Sequence, residues 1–284
     1  MQRSVYSSIV NSIMSPGSTG HFFVTLLLLL CVINIPVARA EPGITNNKII
    51  IGGVMDLEDR SKALGQGMKT GVLAAIRGEK IKGRSIEYIT LNDSYNPTKT
   101  IEATNELIGR EIFLMLGNVG TPTAKVSLPI LAKNNIPAVG FFTGADLLRP
   151  GKGDIINYRA SYVQETAYVI NAALNEGIKA DEICAYVQND AYGMAGVTGI
   201  RRALSRKSGT QNITSLLDQI ISMSGENPPR NGIGPVGVYQ RNTFSARSGY
   251  LSLKNWEKQS NTSCRLVITV GSYASVAGFI GYAN

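Results

Sequence analysis

The chain has 284 residues, with 28 Lys and Arg against 20 Asp and Glu; 44% of it is hydrophobic and only 17% charged. That is a globular composition slightly short of charge, which excludes a disordered, collagenous or coiled-coil chain. The one histidine, His21, lies in an N-terminal apolar segment. If that segment is removed on export, no His general base, Ser-His-Asp or Cys-His system, or imidazole-ligated metal site is left.

Residues 1–40 read as a targeting segment: an apolar run from Phe22 to Ile33 precedes Ala38-Arg39-Ala40, whose small residues at minus three and minus one place signal cleavage before Glu41. The run is short for a spanning helix, which needs about 20 apolar residues; an uncleaved anchor is the alternative. Leu30 before Cys31 is too large for a lipidation site. Removing residues 1–40 takes away Arg3 and Arg39 and no carboxylate, which leaves 26 basic and 20 acidic groups, a net +6. Cys184 and Cys264 remain, each at the start of a predicted strand. In an oxidising compartment they pair if those strands are neighbours.

From residue 47 short β-branched runs alternate with turns and helices. Lys48-Ile49-Ile50-Ile51-Gly52 predicts a strand buried on both faces. A helix over 62–77, a strand over 85–91 and a helix opened by Asn96-Pro97, with Ile101, Thr104 and Ile108 on one face, follow. Next come a strand over 112–116, a helix from Thr121-Pro122 that Pro129 should kink or split, and a strand over 138–142. The stretch 143–161 is irregular. A second series then runs through a helix over 162–176, a strand over 182–187, a helix after Asp190, a strand near 235–241, a helix near 247–259, a strand over 265–270 and one further helix. Such alternation makes doubly wound parallel sheets, and two lobes are expected, 41–158 and 159–284.

Ligands of open α/β sheets bind beyond the carboxyl ends of strands. Gly117-Asn118-Val119-Gly120-Thr121-Pro122-Thr123 best meets that rule: its glycines permit close backbone approach, Thr121 is placed to cap, and the first-turn N–H groups suit a carboxylate-sized anion. Read alone, the segment is better explained as a plain N-cap with a good first residue. Thr143-Gly144-Ala145 offers a second backbone-rich turn after the neighbouring strand.

The ordered series Ile51-Gly52-Gly53, Gly65-Gln66-Gly67, Asn92-Asp93-Ser94-Tyr95-Asn96-Pro97, Gly117–Thr123, Phe142-Thr143-Gly144-Ala145, Asn157-Tyr158-Arg159 and Asp190-Ala191-Tyr192-Gly193 resembles the leucine/isoleucine/valine-binding family, the type I periplasmic solute-binding proteins of ABC transporters. The resemblance runs from about residue 47 to 284. It implies a two-lobed α/β periplasmic-binding-protein fold that closes on a small amino acid, amide or carboxylate. It also implies a periplasmic location, no enzymatic activity and an ABC transporter permease as partner. The segments matching Asn118, Gly120 and Thr121 and the turn matching Thr143, Gly144 and Ala145 would hold the ligand's headgroup, while Tyr192 and Tyr273 would cover it from the opposite lobe. Tyr192 reads alternatively as a helix-start aromatic packing on its own lobe, and Asp190 as a helix cap.

The chain departs from the family's pattern at Met55-Asp56-Leu57-Glu58-Asp59-Arg60, bulkier and more charged than the usual small pair, and in lacking the C-terminal return segments, so the fold is expected to be C-terminally incomplete. A sensory or receptor ectodomain of the same fold, or an inactive fragment, is the alternative to a transport receptor. A hydrolase built on Asp56, Glu58 or Asp93 would need opposed carboxylates, which one loop does not supply. Arg201-Arg202-Ala203-Leu204-Ser205-Arg206-Lys207 lacks interleaved aromatics, so no nucleic acid is expected. The glycines at 193, 196 and 199 make a smooth helix face rather than a dinucleotide loop. No cofactor or metal is expected, and the protein is expected to be a monomer. Gly120→Val is expected to abolish binding and leave the fold intact.

Overall fold

The computed structural model describes residues 41–151, 153–225 and 227–284; the apolar segment, His21 and the cleavage site after Ala40 lie outside the described residues. The first sheet region runs β1 (Lys48–Met55), α1 (Lys62–Ile76), β2 (Lys80–Ile81), β3 (Arg84–Asn92), α2 (Pro97–Gly109), β4 (Leu114–Leu116), α3 (Thr121–Lys133), β5 (Ala138–Val139) and β6 (Ile155–Ile156). The second runs α4 (Tyr162–Asn175), β7 (Ile183–Gln188), α5 (Ala191–Leu204), α6 (Gln211–Ser222), β8 (Val236–Tyr239), α7 (Arg247–Ser260), β9 (Leu266–Val270) and α8 (Tyr273–Ala283). Strand order is β2-β3-β1-β4-β5-β6 in one sheet and β8-β7-β9 in the other. All pairs are parallel except β2–β3. This is the expected doubly wound α/β architecture.

Local chemistry explains where the helices start. The Asn96 side chain accepts from the Thr98 and Lys99 amides with Pro97 at the first helical position, Ser161 forms a capping box with Gln164, and Asp190 accepts from the Tyr192 amide. Each cap satisfies first-turn donors that would otherwise lack partners. Every residue of β7 is buried, as a central strand covered on both faces requires. Leu107, Ile112, Met115 and Leu131 centre one core; Val187, Val197, Leu204 and Ile220 centre the other.

The expectation for α5 as a smooth glycine face is met by close packing. A Cβ on Gly196 would lie 2.4 Å from Val270 Cγ2, and one on Gly199 would lie 2.1 Å from Thr166 Oγ1. Cys184 and Cys264 form a disulfide, with Cα atoms 5.6 Å apart, because β7 and β9 are neighbours.

Several expectations fail locally. The buried face of α2 is Thr100, Ala103, Thr104 and Leu107, with Ile101 38% exposed. Thr100 turns inward because its hydroxyl donates to Asp93, which an apolar pattern cannot see. Helix α3 runs unbroken through Pro129. Pro129 and Lys125, whose carbonyl it would have engaged, are exposed, so the lost hydrogen bond falls on the solvent side. Strand β5 stops at Val139 because Gly140 takes φ +60°; Phe142 then rejoins the sheet through a single bridge to Val119. Helix α6 and the two-residue strands β2 and β6 were not anticipated.

Candidate functional site

In the first sheet the chain reverses direction of winding between β1 and β4, and in the second between β7 and β9. Loops leaving the carboxyl ends of those strands flank a crevice in each sheet. They meet at one cavity of about 320 Å³, lined by Asp56 after β1, Val119, Gly120 and Thr121 after β4, Gln188 after β7, and Gly271, Ser272 and Tyr273 after β9. Its size is that of a small-molecule site.

The first-sheet wall is built largely from backbone. Gly120, at φ +115°, is the N-cap of α3, and Thr121 is the first helical residue rather than the cap. No side chain caps the start of α3, whose Gly120 and Thr121 line the cavity. Thr121 Oγ1 lies 2.6 Å from Thr143 Oγ1, and Thr143 Oγ1 accepts from the Ala145 amide. Either threonine hydroxyl can donate to the other, and the pair sits at the cavity wall. Tyr95 lies beneath Gly120: a Cβ on Gly120 would come 2.3 Å from Tyr95 Cε2. Ser94 and Tyr95 have φ of 51° and 53°. Asp93 accepts from the Tyr95 amide and Asn92 from the Ser94 amide, which holds this strained turn in place.

The second wall is built from side chains. Gln188 Nε2 donates to Tyr95 Oη at 3.2 Å and to Asp190 at 2.8 Å. Tyr239 donates to Gln188 Oε1 and accepts from the Ser272 amide. One buried network thus ties the first-sheet turn to the ends of β7 and β9. The Tyr192 hydroxyl donates to the Gly271 carbonyl, and its ring lies 5.4 Å from that of Tyr162. Arg159 enters between the walls, 5.5 Å from the Phe142 ring and 5.2 Å from the Tyr162 ring, and pairs with Glu165 at 2.6 Å.

Burial decides the protonation states. It holds the Tyr95 and Tyr192 phenols far above their ordinary range, so both are neutral. Burial raises Asp190, against hydrogen bonds from the Tyr192 amide and Gln188 and the charge of Arg241. Asp93 is raised to about 6, chiefly by burial and against its bonds from Thr100 and Tyr95. For Arg159, burial works downward but the Glu165 partnership outweighs it, and the net shift is upward.

Of the residues expected from sequence, Gly120, Thr121, Tyr192 and Tyr273 share the cavity wall. Asn118, Thr143, Gly144 and Ala145 do not line it. Asn118 faces inward, accepting from the Val54 amide at 2.9 Å across β1 and β4. Thr143 is wholly buried behind Thr121, and Gly144 and Ala145 border a separate hollow of about 180 Å³ beside Asp146 and Arg202. Asp190 is a cap, and Tyr192 both lines the cavity and bonds within its own half. The Asp56 carboxylate accepts from the Glu58, Asp59 and Ser61 amides, so this part of the loop is closed on itself. Tyr95, Phe142, Tyr162 and Gln188 were missed as cavity residues, although the motif runs Asn92–Pro97 and Phe142–Ala145 contain the first two. Among the described residues no group of three His, Cys, Asp or Glu could hold a metal.

Two α/β sheets whose strand ends share one solute-sized cavity define a small-molecule binding fold. Residues 48–216 match the family described as Periplasmic binding protein. A solved structure of a possible leucine/isoleucine/valine-binding protein from Rhodopirellula baltica SH 1 is 31% identical, with a TM-score of 0.67 over 87% of this chain and 61% of that one. The chain therefore belongs to the periplasmic binding protein family, with the type I fold and the leucine/isoleucine/valine-binding resemblance expected from its motifs. A fatty acid ABC transporter substrate-binding protein from Thermomonospora curvata shares the fold at 15% identity and TM-score 0.63, over 85% of this chain and 56% of that one. An ABC transporter solute-binding protein from Rhodopseudomonas palustris HaA2, solved with p-hydroxybenzoic acid, does so at 16% and 0.60, over 82% and 57%. The family and these relatives are binding proteins, not enzymes. This chain spans about three fifths of the length of those solved chains. A comparison with curated proteins finds no match.

Proposed function

We propose that this chain is the solute receptor of an ABC transporter, exported with cleavage after Ala40 and acting as a monomer that delivers its ligand to a permease. Lobes 41–158 and 159–284 would close on a small molecule carrying an acid or amide headgroup, held at the start of α3 by Gly120 and Thr121 and covered by Tyr192 and Tyr273. The observation that carries this reading is the convergence of β1, β4, β7 and β9 loop ends on a single cavity, with the uncapped start of α3 at its wall.

A thermal-shift screen against amino acids, small amides and carboxylates tests it, because a ligand that binds only the native state raises the midpoint by mass action, about 2.7 kcal/mol at a hundredfold excess over Kd. A cooperative transition shifted by one headgroup class is the expected result. A cooperative transition that none of these compounds moves counts against the reading.

A further inference from the structure

We propose, resting on the receptor reading above, that the ligand is a monocarboxylate on an apolar or aromatic body, and that Arg159 is the cationic partner of its carboxylate. Arg159 lines the cavity with its side chain only 25% exposed. The rings of Phe142 and Tyr162 lie 5.5 and 5.2 Å from its guanidinium carbon, which restrains a long side chain before any ligand arrives. Glu165 accepts from one terminal nitrogen at 2.6 Å. Among the described residues no other acceptor is bonded to the Arg159 side chain, so most of its five N–H donors are free.

The rest of the wall is also rich in donors. Tyr95, 7% exposed, accepts from Gln188, and among the described residues nothing accepts its proton. An amide would bring its own N–H groups to these donors, whereas a carboxylate offers only acceptor sites.

Glu165, which also lines the cavity, sits in the first turn of α4, where the positive helix end favours its charge, and is paired with Arg159. Leu64, Val119 and Val270 supply apolar lining for the body of the ligand.

Calorimetric titration of the chain with three matched pairs tests this: benzoate with benzamide, 3-phenylpropanoate with 3-phenylpropanamide, and 4-methylpentanoate with 4-methylpentanamide. In whichever pair is bound, the carboxylate is expected to bind at least about tenfold tighter than its amide, as loss of one charge-assisted hydrogen bond implies. Arg159→Gln should shrink that advantage to less than about threefold, and Arg159→Lys should keep part of it, with melting curves showing that both variants fold. An amide that binds tighter than its mate overturns the inference and leaves the receptor reading standing. An undiminished carboxylate preference in Arg159→Gln overturns the role of Arg159. Binding by none of the six compounds overturns the inference, and the thermal-shift screen then decides the receptor reading separately.

Discussion

The two walls of the cavity are made of different materials. On the first sheet the wall is main chain, the uncapped start of α3 with Gly120 at φ +115°, and its side chains serve mainly to hold that backbone in place. On the second sheet it is a hydrogen-bonded set of side chains, Gln188, Tyr239, Tyr192 and Asp190, clamped by a disulfide at the far end of the strands. A backbone wall tolerates substitution except where a glycine is needed, whereas a side-chain wall fails piecemeal as each polar partner is removed. The comparison therefore predicts where the molecule is brittle.

The largest effect should come from the second sheet. Cys184→Ala with Cys264→Ala opens a loop of separation 80 and is expected to cost about 4 kcal/mol in urea unfolding, with the same loss when the wild type is reduced. If the loss is below about 1 kcal/mol, the second wall stands without its crosslink. Next is Gly120→Val, which attacks the first wall. The expectation from sequence that the fold would be untouched is corrected here, because the new Cβ meets the Tyr95 ring and the backbone conformation is unfavourable for an L side chain. A loss of about 2–3 kcal/mol together with loss of ligand binding is expected.

A subtler test concerns the turn that holds Tyr95. Asp93 is raised to about 6 in the folded chain from an ordinary 3.8, so the native state keeps its proton where the unfolded chain has lost it. Its contribution is fully present below about pH 4 and is lost as pH rises toward 6, then stays flat. The stability of wild type relative to Asp93→Asn should fall across that window by up to about 3 kcal/mol; a difference that is constant or rises with pH contradicts the burial argument. The smallest effect is Asn96→Ala, which removes the α2 cap accepting from Thr98 and Lys99 and should cost about 1 kcal/mol without altering any ligand's affinity.

Much of the fold was legible because it rests on short-range signals. The β-branched run at Lys48–Ile51 and the Asn96-Pro97 and Ser161 helix starts each act within a few residues of themselves. In the first wall Gly120-Thr121-Pro122 marks a helix start by the same local chemistry, and only the resemblance made that start a ligand site. The second wall was harder to see. Gln188 is one polar residue in an otherwise apolar strand, and its partner Tyr95 lies 93 residues away. Thr143, expected to hold the headgroup, lies one layer back from the cavity, 2.6 Å from Thr121. Pairings of that kind depend on how sheets meet, which neither periodicity nor turn chemistry encodes.

The disulfide has one more consequence. Cys184 lies near the amino end of β7 and Cys264 just before β9, while the cavity residues Gln188 and Val270 close the carboxyl ends of the same strands. The crosslink works like the binding of a book whose pages are read at the opposite edge. Oxidising conditions during biosynthesis should therefore govern how much folded protein is made, while each folded molecule recognises its solute with the same affinity whether or not the sulfurs are joined.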